Sequence, residues 1–207
     1  HGVETRPVDV NFSQWDASRE PCEAPPAPHP RFAGMEAEYL GRDAVRLGLR
    51  QIGGLKEEEA RRLVARRGRG YDSVRDLWLR AQLSPATIET LAEADAFASL
   101  GLSRRDALWA ARGLNRAGDK DDLPLFLVAS GEREPDADLP PMPPGEEVVE
   151  DYRALSLSLK AHPLAFLRAR LMKRGAMRCE GLADIPMPKR ADGTQRVLSQ
   201  RVTVAGL

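Results

Sequence analysis

The run Ile52-Gly53-Gly54-Leu55-Lys56-Glu57-Glu58-Glu59-Ala60-Arg61-Arg62-Leu63-Val64 places paired glycines directly before a charged segment with helical spacing. Glycine pairs make tight turns because they adopt positive φ without steric cost. Ala60, Leu63 and Val64 then fall at i, i+3 and i+4, one face of a helix, and Gly68 and Gly70 mark its stop. Further along, Ser73 with Asp76 forms a capping box ahead of Val74, Leu77, Trp78 and Ala81. Ser84-Pro85 is an N-cap followed by proline at the first helical position, leading into Ile88, Leu91 and Ala92. Ser103 with Asp106 caps a further helix bearing Leu108, Ala111 and Leu114. Residues 50–116 therefore read as several short helices joined by tight connections.

Two readings fit the glycine turn. In the first, backbone N–H groups at the helix N-terminus face a phosphate, and Lys56, Arg61, Arg62, Arg66, Arg67 and Arg69 follow closely. That arrangement matches a helix-hairpin-helix, which grips the DNA backbone without reading bases. In the second, the turn is an ordinary αα connection with a solvated basic face. Glu57, Glu58 and Glu59 set three negative charges beside the phosphate position. Ser84 to Leu91 reads as a second copy of the hairpin, without its glycines.

The flanks are less regular. Arg6-Pro7-Val8-Asp9-Val10-Asn11 reads as extended, and the prolines at 21, 25, 26, 28 and 30 exclude helix or central strand there. Leu40, Val45, Leu47 and Leu49 alternate in part like a strand entering a turn. Residues 117–147 are acidic and carry five prolines between Pro135 and Pro144, the composition of a linker. One apolar island interrupts them, Leu123-Pro124-Leu125-Phe126-Leu127-Val128. It suits either a peptide that docks into a partner's groove or a tack holding the linker to the domain. Val148, Val149, Tyr152 and Leu155 resume a helical pattern, and Pro163 starts another with Leu164, Leu167 and Leu171. His162 reads as that helix's N-terminal neighbour, and Val202-Thr203-Val204 reads as strand.

The 207 residues hold 31 basic and 31 acidic side chains, a balance that by itself argues against a nucleic-acid binder. Divided along the chain, the balance disappears: 1–39 is net −4, 40–116 is +5, 117–152 is −9 and 153–207 is +8. Such segregation points to separate units with separate partners. Cys22 and Cys179 stand far apart without a CxxC or His–Cys companion, which argues against zinc and disulfides and suits a reducing cytoplasm. No apolar run approaches the roughly 18 residues of a spanning helix, so no membrane partner is expected. His1, His29 and His162 are scattered, and no carboxylate pair, Gly-rich nucleotide loop, GxSxG or HExxH is present. No catalytic residue and no metal ligand are expected in this chain. Trp15, Trp78 and Trp109 read as core or interface rather than base-stacking platforms.

Several motifs, in this order, resemble the C-terminal fingers region of bacterial C-family DNA polymerases. They are Val8-Asp9-Val10-Asn11 with Trp15-Asp16, Leu47-Gly48-Leu49-Arg50-Gln51-Ile52-Gly53-Gly54-Leu55 and Leu91-Ala92-Glu93-Ala94-Asp95-Ala96-Phe97. Gly145-Glu146-Glu147-Val148-Val149-Glu150-Asp151-Tyr152 and Leu157-Ser158-Leu159-Lys160-Ala161-His162-Pro163-Leu164 complete them. Together they look most like the error-prone branch, a paralogue of the polymerase III α subunit used in damage-induced translesion synthesis.

The resemblance implies a mainly α chain: a tandem helix-hairpin-helix domain with irregular and short-strand flanks and a truncated OB-type start. Its implied parts are 1–49 as the end of the fingers, 50–116 as the tandem helix-hairpin-helix, and 117–147 as the acidic Pro-rich linker. Residues 148–195 follow as a helical connector and 196–207 as the first strand of the OB domain. Gly53, Gly54, Leu55, Lys56 and Arg61 would serve the first DNA-binding hairpin, and Ser84 and Thr87 the second. The family's catalytic aspartates, and the Mg2+ they use, belong to a palm upstream of His1, so this fragment would be inactive alone and hold no cofactor. Its implied partner is double-stranded primer-template DNA, in the cytoplasm. Asp122-Leu123-Pro124-Leu125-Phe126 falls where relatives carry a clamp-binding peptide, with Asp122 in place of the usual Gln. An alternative function is thus a module that recruits a sliding clamp or accessory mutagenesis proteins. Lys56 stands where a typical hairpin has its second glycine.

Overall fold

Helices dominate, as the amphipathic spacing predicts, and a small sheet accompanies them. The computed structural model describes residues 2–23, 26–27, 43–117, 139–182 and 202–205. The chain forms two compact units, His1–Leu159 and Lys160–Leu207. In the first, β1 (Thr5–Arg6), β2 (Ser18–Pro21) and β3 (Asp43–Arg46) make a sheet of order β1-β3-β2. β1 lies parallel to β3 with Thr5 opposite Val45, and β2 runs antiparallel with Glu20 opposite Ala44. Pro21 is tolerated because β2 is an edge strand. The Glu20 carboxylate ties the sheet together, accepting from Arg46 Nε at 2.8 Å and from Arg6 Nη1 at 2.7 Å.

The helices of this unit are α1 (Glu57–Arg66), α2 (Val74–Ala81), α3 (Pro85–Glu93), α4 (Arg104–Ala117) and α5 (Pro144–Leu155). Ser73 accepts from the Asp76 N–H, and Ser84 from the Thr87 N–H, so both sequence-read caps form. Ser103 and Asp106 cap reciprocally. One core unites the helices with the N-terminal segment: Val8, Val10, Leu49, Leu63, Leu77, Ile88, Leu91 and Phe97 are all buried in it. Compactness therefore groups residues 1–49 with the helical hairpins, and it breaks the 148–195 stretch at Leu159.

Several details differ from the sequence reading. Helix α5 begins at Pro144 rather than Val148, because proline suits the first helical turn and Glu146 and Glu147 face the positive helix end. Before the glycine turn the described strand is Asp43–Arg46, with Leu40 outside the described residues, and Leu49 starts a 3-10 turn, Leu49–Gln51. Gly48 lets that turn cross residues 15–17, since a Cβ there would lie 2.4 Å from the Trp15 carbonyl oxygen. Trp109 is exposed on α4, while Trp15 and Trp78 pack against the core.

The second unit contains α6 (Pro163–Lys173), N-capped by His162, whose Nδ1 accepts from the Leu164 N–H. None of the residues of α6 is buried. Of the C-terminal strand-like run, residues 202–205 are described, and Val204 makes an isolated parallel bridge with Met177.

Candidate nucleic-acid interface

The turn before α1 is held from both sides. Gly54 carries the positive φ, 81°, that the paired glycines announce. Gly53 does a different job: its N–H donates to the Ala154 carbonyl at 2.8 Å, and a Cβ on it would lie 3.4 Å from that oxygen. Gln51 Nε2 donates to the Leu155 carbonyl at 2.7 Å. The turn thus caps the C-terminal carbonyls of α5, groups every helix must satisfy externally. Leu55 is buried beneath the turn, and its N–H reaches back to the Ile52 carbonyl at 3.3 Å. Lys56 occupies the N-cap position of α1, exposed and with no side-chain cap to offer. The first-turn N–H groups of α1, like those of any helix, have no intrahelical partner.

The second turn meets the first. A hollow of about 220 Å³ is lined by Gly54, Leu55, Lys56 and Glu59 on one side and by Ser84, Ala86, Thr87 and Thr90 on the other. The N-terminal ends of α1 and α3 both border it. Five of the seven sequence-chosen residues therefore share one site, although Leu55 and Thr87 are buried and present little side chain to it. Thr87 Oγ1 donates to Glu59 Oε1 at 2.8 Å. A carboxylate only accepts, so the 2.8 Å contact between Ser84 and Thr87 has the Ser84 hydroxyl donating. Gly53 faces α5 instead, and Arg61 lines a separate cleft of about 510 Å³ with Trp15, Asp16 and Val64. Arg61 also pairs with Glu57 at 2.6 Å. The sequence sets Glu57, Glu58 and Glu59 alike beside the phosphate position, and the spacing of Glu59 one turn before Leu63 is the signal that singles it out.

The cations following the turn do not form one surface. Arg62, Arg66 and Arg69 are exposed, but Arg67 is buried, donating from Nε to the Val10 carbonyl at 2.8 Å and from Nη2 to the Ser13 carbonyl. Counting Arg67 among the DNA-facing cations is corrected by that burial. Arg80 caps the end of α1, donating to the Arg66 carbonyl at 2.8 Å and the Arg67 carbonyl at 2.6 Å. Its guanidinium also lies 4.8 Å over the Tyr71 ring. Asp122 to Phe126, the clamp-peptide candidate, lies outside the described residues. Among the described residues no cluster of His, Cys, Asp or Glu is arranged to hold a metal, and no helix is long and apolar enough to cross a membrane.

Short capped helices, a glycine turn before α1 and a second turn facing it across a hollow define a class. The profile described as Helix-hairpin-helix motif matches residues 2–107, and the chain belongs to that family. Its relatives are error-prone DNA polymerases. It is 49% identical over 212 residues to error-prone DNA polymerase 1 of Rhizobium meliloti (strain 1021). It is 47% identical over 211 residues to the error-prone DNA polymerase of Mesorhizobium japonicum, and 42% over 210 residues to that of Ruegeria pomeroyi. Each match covers the whole of this chain and 16–18% of the relative, so the chain spans less than a fifth of the polymerases it matches.

Proposed function

We propose that this chain is the duplex-holding segment of an error-prone, DNA-damage-induced DNA polymerase, gripping primer-template DNA through its sugar-phosphate backbone. The observation that carries the reading is the hollow in which Gly54, Lys56 and the N-terminal end of α1 face Ser84 and the N-terminal end of α3. Backbone amides and one exposed ammonium recognise phosphate and carry no base preference. In this reading 1–49 ends the fingers, 50–116 is the tandem hairpin domain, 117–147 the linker, 148–195 the connector and 196–207 the start of an OB domain. Nucleotidyl transfer, with its Mg2+ and carboxylates, would be the work of the rest of the polymerase, in the cytoplasm.

Fluorescence anisotropy with a labelled primer-template duplex at two salt concentrations tests this. Binding should ignore sequence, and log affinity should fall against log salt with a slope near −0.9 for each phosphate neutralised. Salt-independent binding would sink the reading. A second function, recruitment of a sliding clamp or an accessory mutagenesis protein through Asp122-Leu123-Pro124-Leu125-Phe126, is favoured by an apolar peptide set in an acidic stretch. Replacing Leu125 and Phe126 with alanine should abolish a clamp pull-down; an unchanged pull-down would discard it.

A further inference from the structure

The three glutamates opening α1 have different fates. Glu57 turns along the helix to Arg61, with Oε1 2.6 Å from Nη2. Glu58 is exposed. Glu59 alone lines the hollow, where the Thr87 hydroxyl holds its carboxylate at 2.8 Å. A carboxylate thus lines the hollow beside Lys56 and the Ser84 turn, on the wall a phosphate entering it would meet.

We infer that Glu59 is an internal occupant of the hollow and determines how tightly the hairpins hold phosphate. The inference rests on the reading of the hollow as a backbone-phosphate contact and deepens it. An incoming phosphate meets the Glu59 carboxylate, which the Thr87 hydroxyl holds in place. Like charges a few ångströms apart repel across such a site, so the retained carboxylate keeps affinity low. Thr87 is the positioning residue that aims the carboxylate.

The test uses the 207-residue chain with Glu59→Gln, which keeps an oxygen for Thr87 and removes the charge. Glu58→Gln changes net charge equally from an exposed position. Each form is titrated with inorganic pyrophosphate by calorimetry and with labelled duplex by anisotropy, and a thermal melt confirms folding. Glu59→Gln should tighten both by roughly fivefold, and Glu58→Gln by roughly twofold or less. Should Glu59→Gln melt early, Glu59→Ala gives the same comparison without an amide. Equal effects from positions 58 and 59, or no gain in pyrophosphate binding at 59, would overturn the inference. A gain in pyrophosphate binding with no duplex bound by any form would leave the inference standing and remove the DNA reading.

Discussion

Arg66 ends α1 exposed to solvent, whereas Arg67 beside it turns inward and donates to the carbonyls of Val10 and Ser13. The same division runs through the first unit. Arg104 is 2% exposed, with Nη2 against Asp151 and Nη1 3.4 Å from Glu147, joining α4 to α5. Arg46 grips Glu20 across the sheet, and Arg80 closes the end of α1. Lys56, Arg61, Arg62 and Arg69 stay at the surface. Cations counted in a sequence therefore overstate a nucleic-acid footprint. An arginine whose guanidinium donates to buried carbonyls or carboxylates serves as a strut, because burying that charge is costly without such partners.

Substitution should separate the two populations. Arg104→Ala should have the largest effect: it removes a buried guanidinium from between Asp151 and Glu147 and should cost about 3–5 kcal/mol in urea unfolding. A loss under about 1 kcal/mol would remove Arg104 from the struts. Arg67→Ala should cost about 1.5–3 kcal/mol, since it withdraws charged donors from two carbonyls, while duplex affinity of the folded form stays unchanged.

The sheet strut is open to acid. The Arg46 guanidinium first, and Arg6 after it, hold the Glu20 carboxyl down at about 2, from an ordinary 4.5. A depressed carboxylate stabilises the fold above its unfolded pKa and loses that contribution as pH falls through the folded one. Stability should thus decline between pH 4.5 and about 2. The Glu20 share is on the order of 1–2 kcal/mol after solvent screening, and Glu20→Gln should flatten it in acid denaturation curves. Lys56→Glu should move unfolding least, within about 0.5 kcal/mol, yet weaken duplex binding roughly tenfold at low salt. If it unfolded the chain instead, Lys56 would belong with the struts.

Local chemistry was well written in the sequence. The caps at Ser73, Ser84 and Ser103 and the turn at Gly54 follow from hydrogen-bonding and φ preferences that act over three or four residues. The start of α5 is hidden in the sequence because a proline-rich, acidic run reads as linker, although Pro144 and the glutamates after it also make a sound first helical turn. The pairing of Gly53 with Ala154 and of Arg104 with Asp151 joins residues far apart in the chain, and no local spacing announces such partners. The candidate site was legible in part: Gly54, Lys56 and Ser84 follow from turn chemistry, whereas the hollow between them needed α1 and α3 packed together.

By itself the sequence determined the mainly helical class, the helix ends and the place of the glycine turn, because backbone geometry and amphipathic spacing are local properties. Only the tertiary structure decided which cations remain at the surface, that Gly53 serves α5, and that Glu59 rather than Glu57 or Glu58 enters the hollow. Each of those outcomes depends on which face of a helix meets its neighbours, and burial then assigns every charged group on that face a partner.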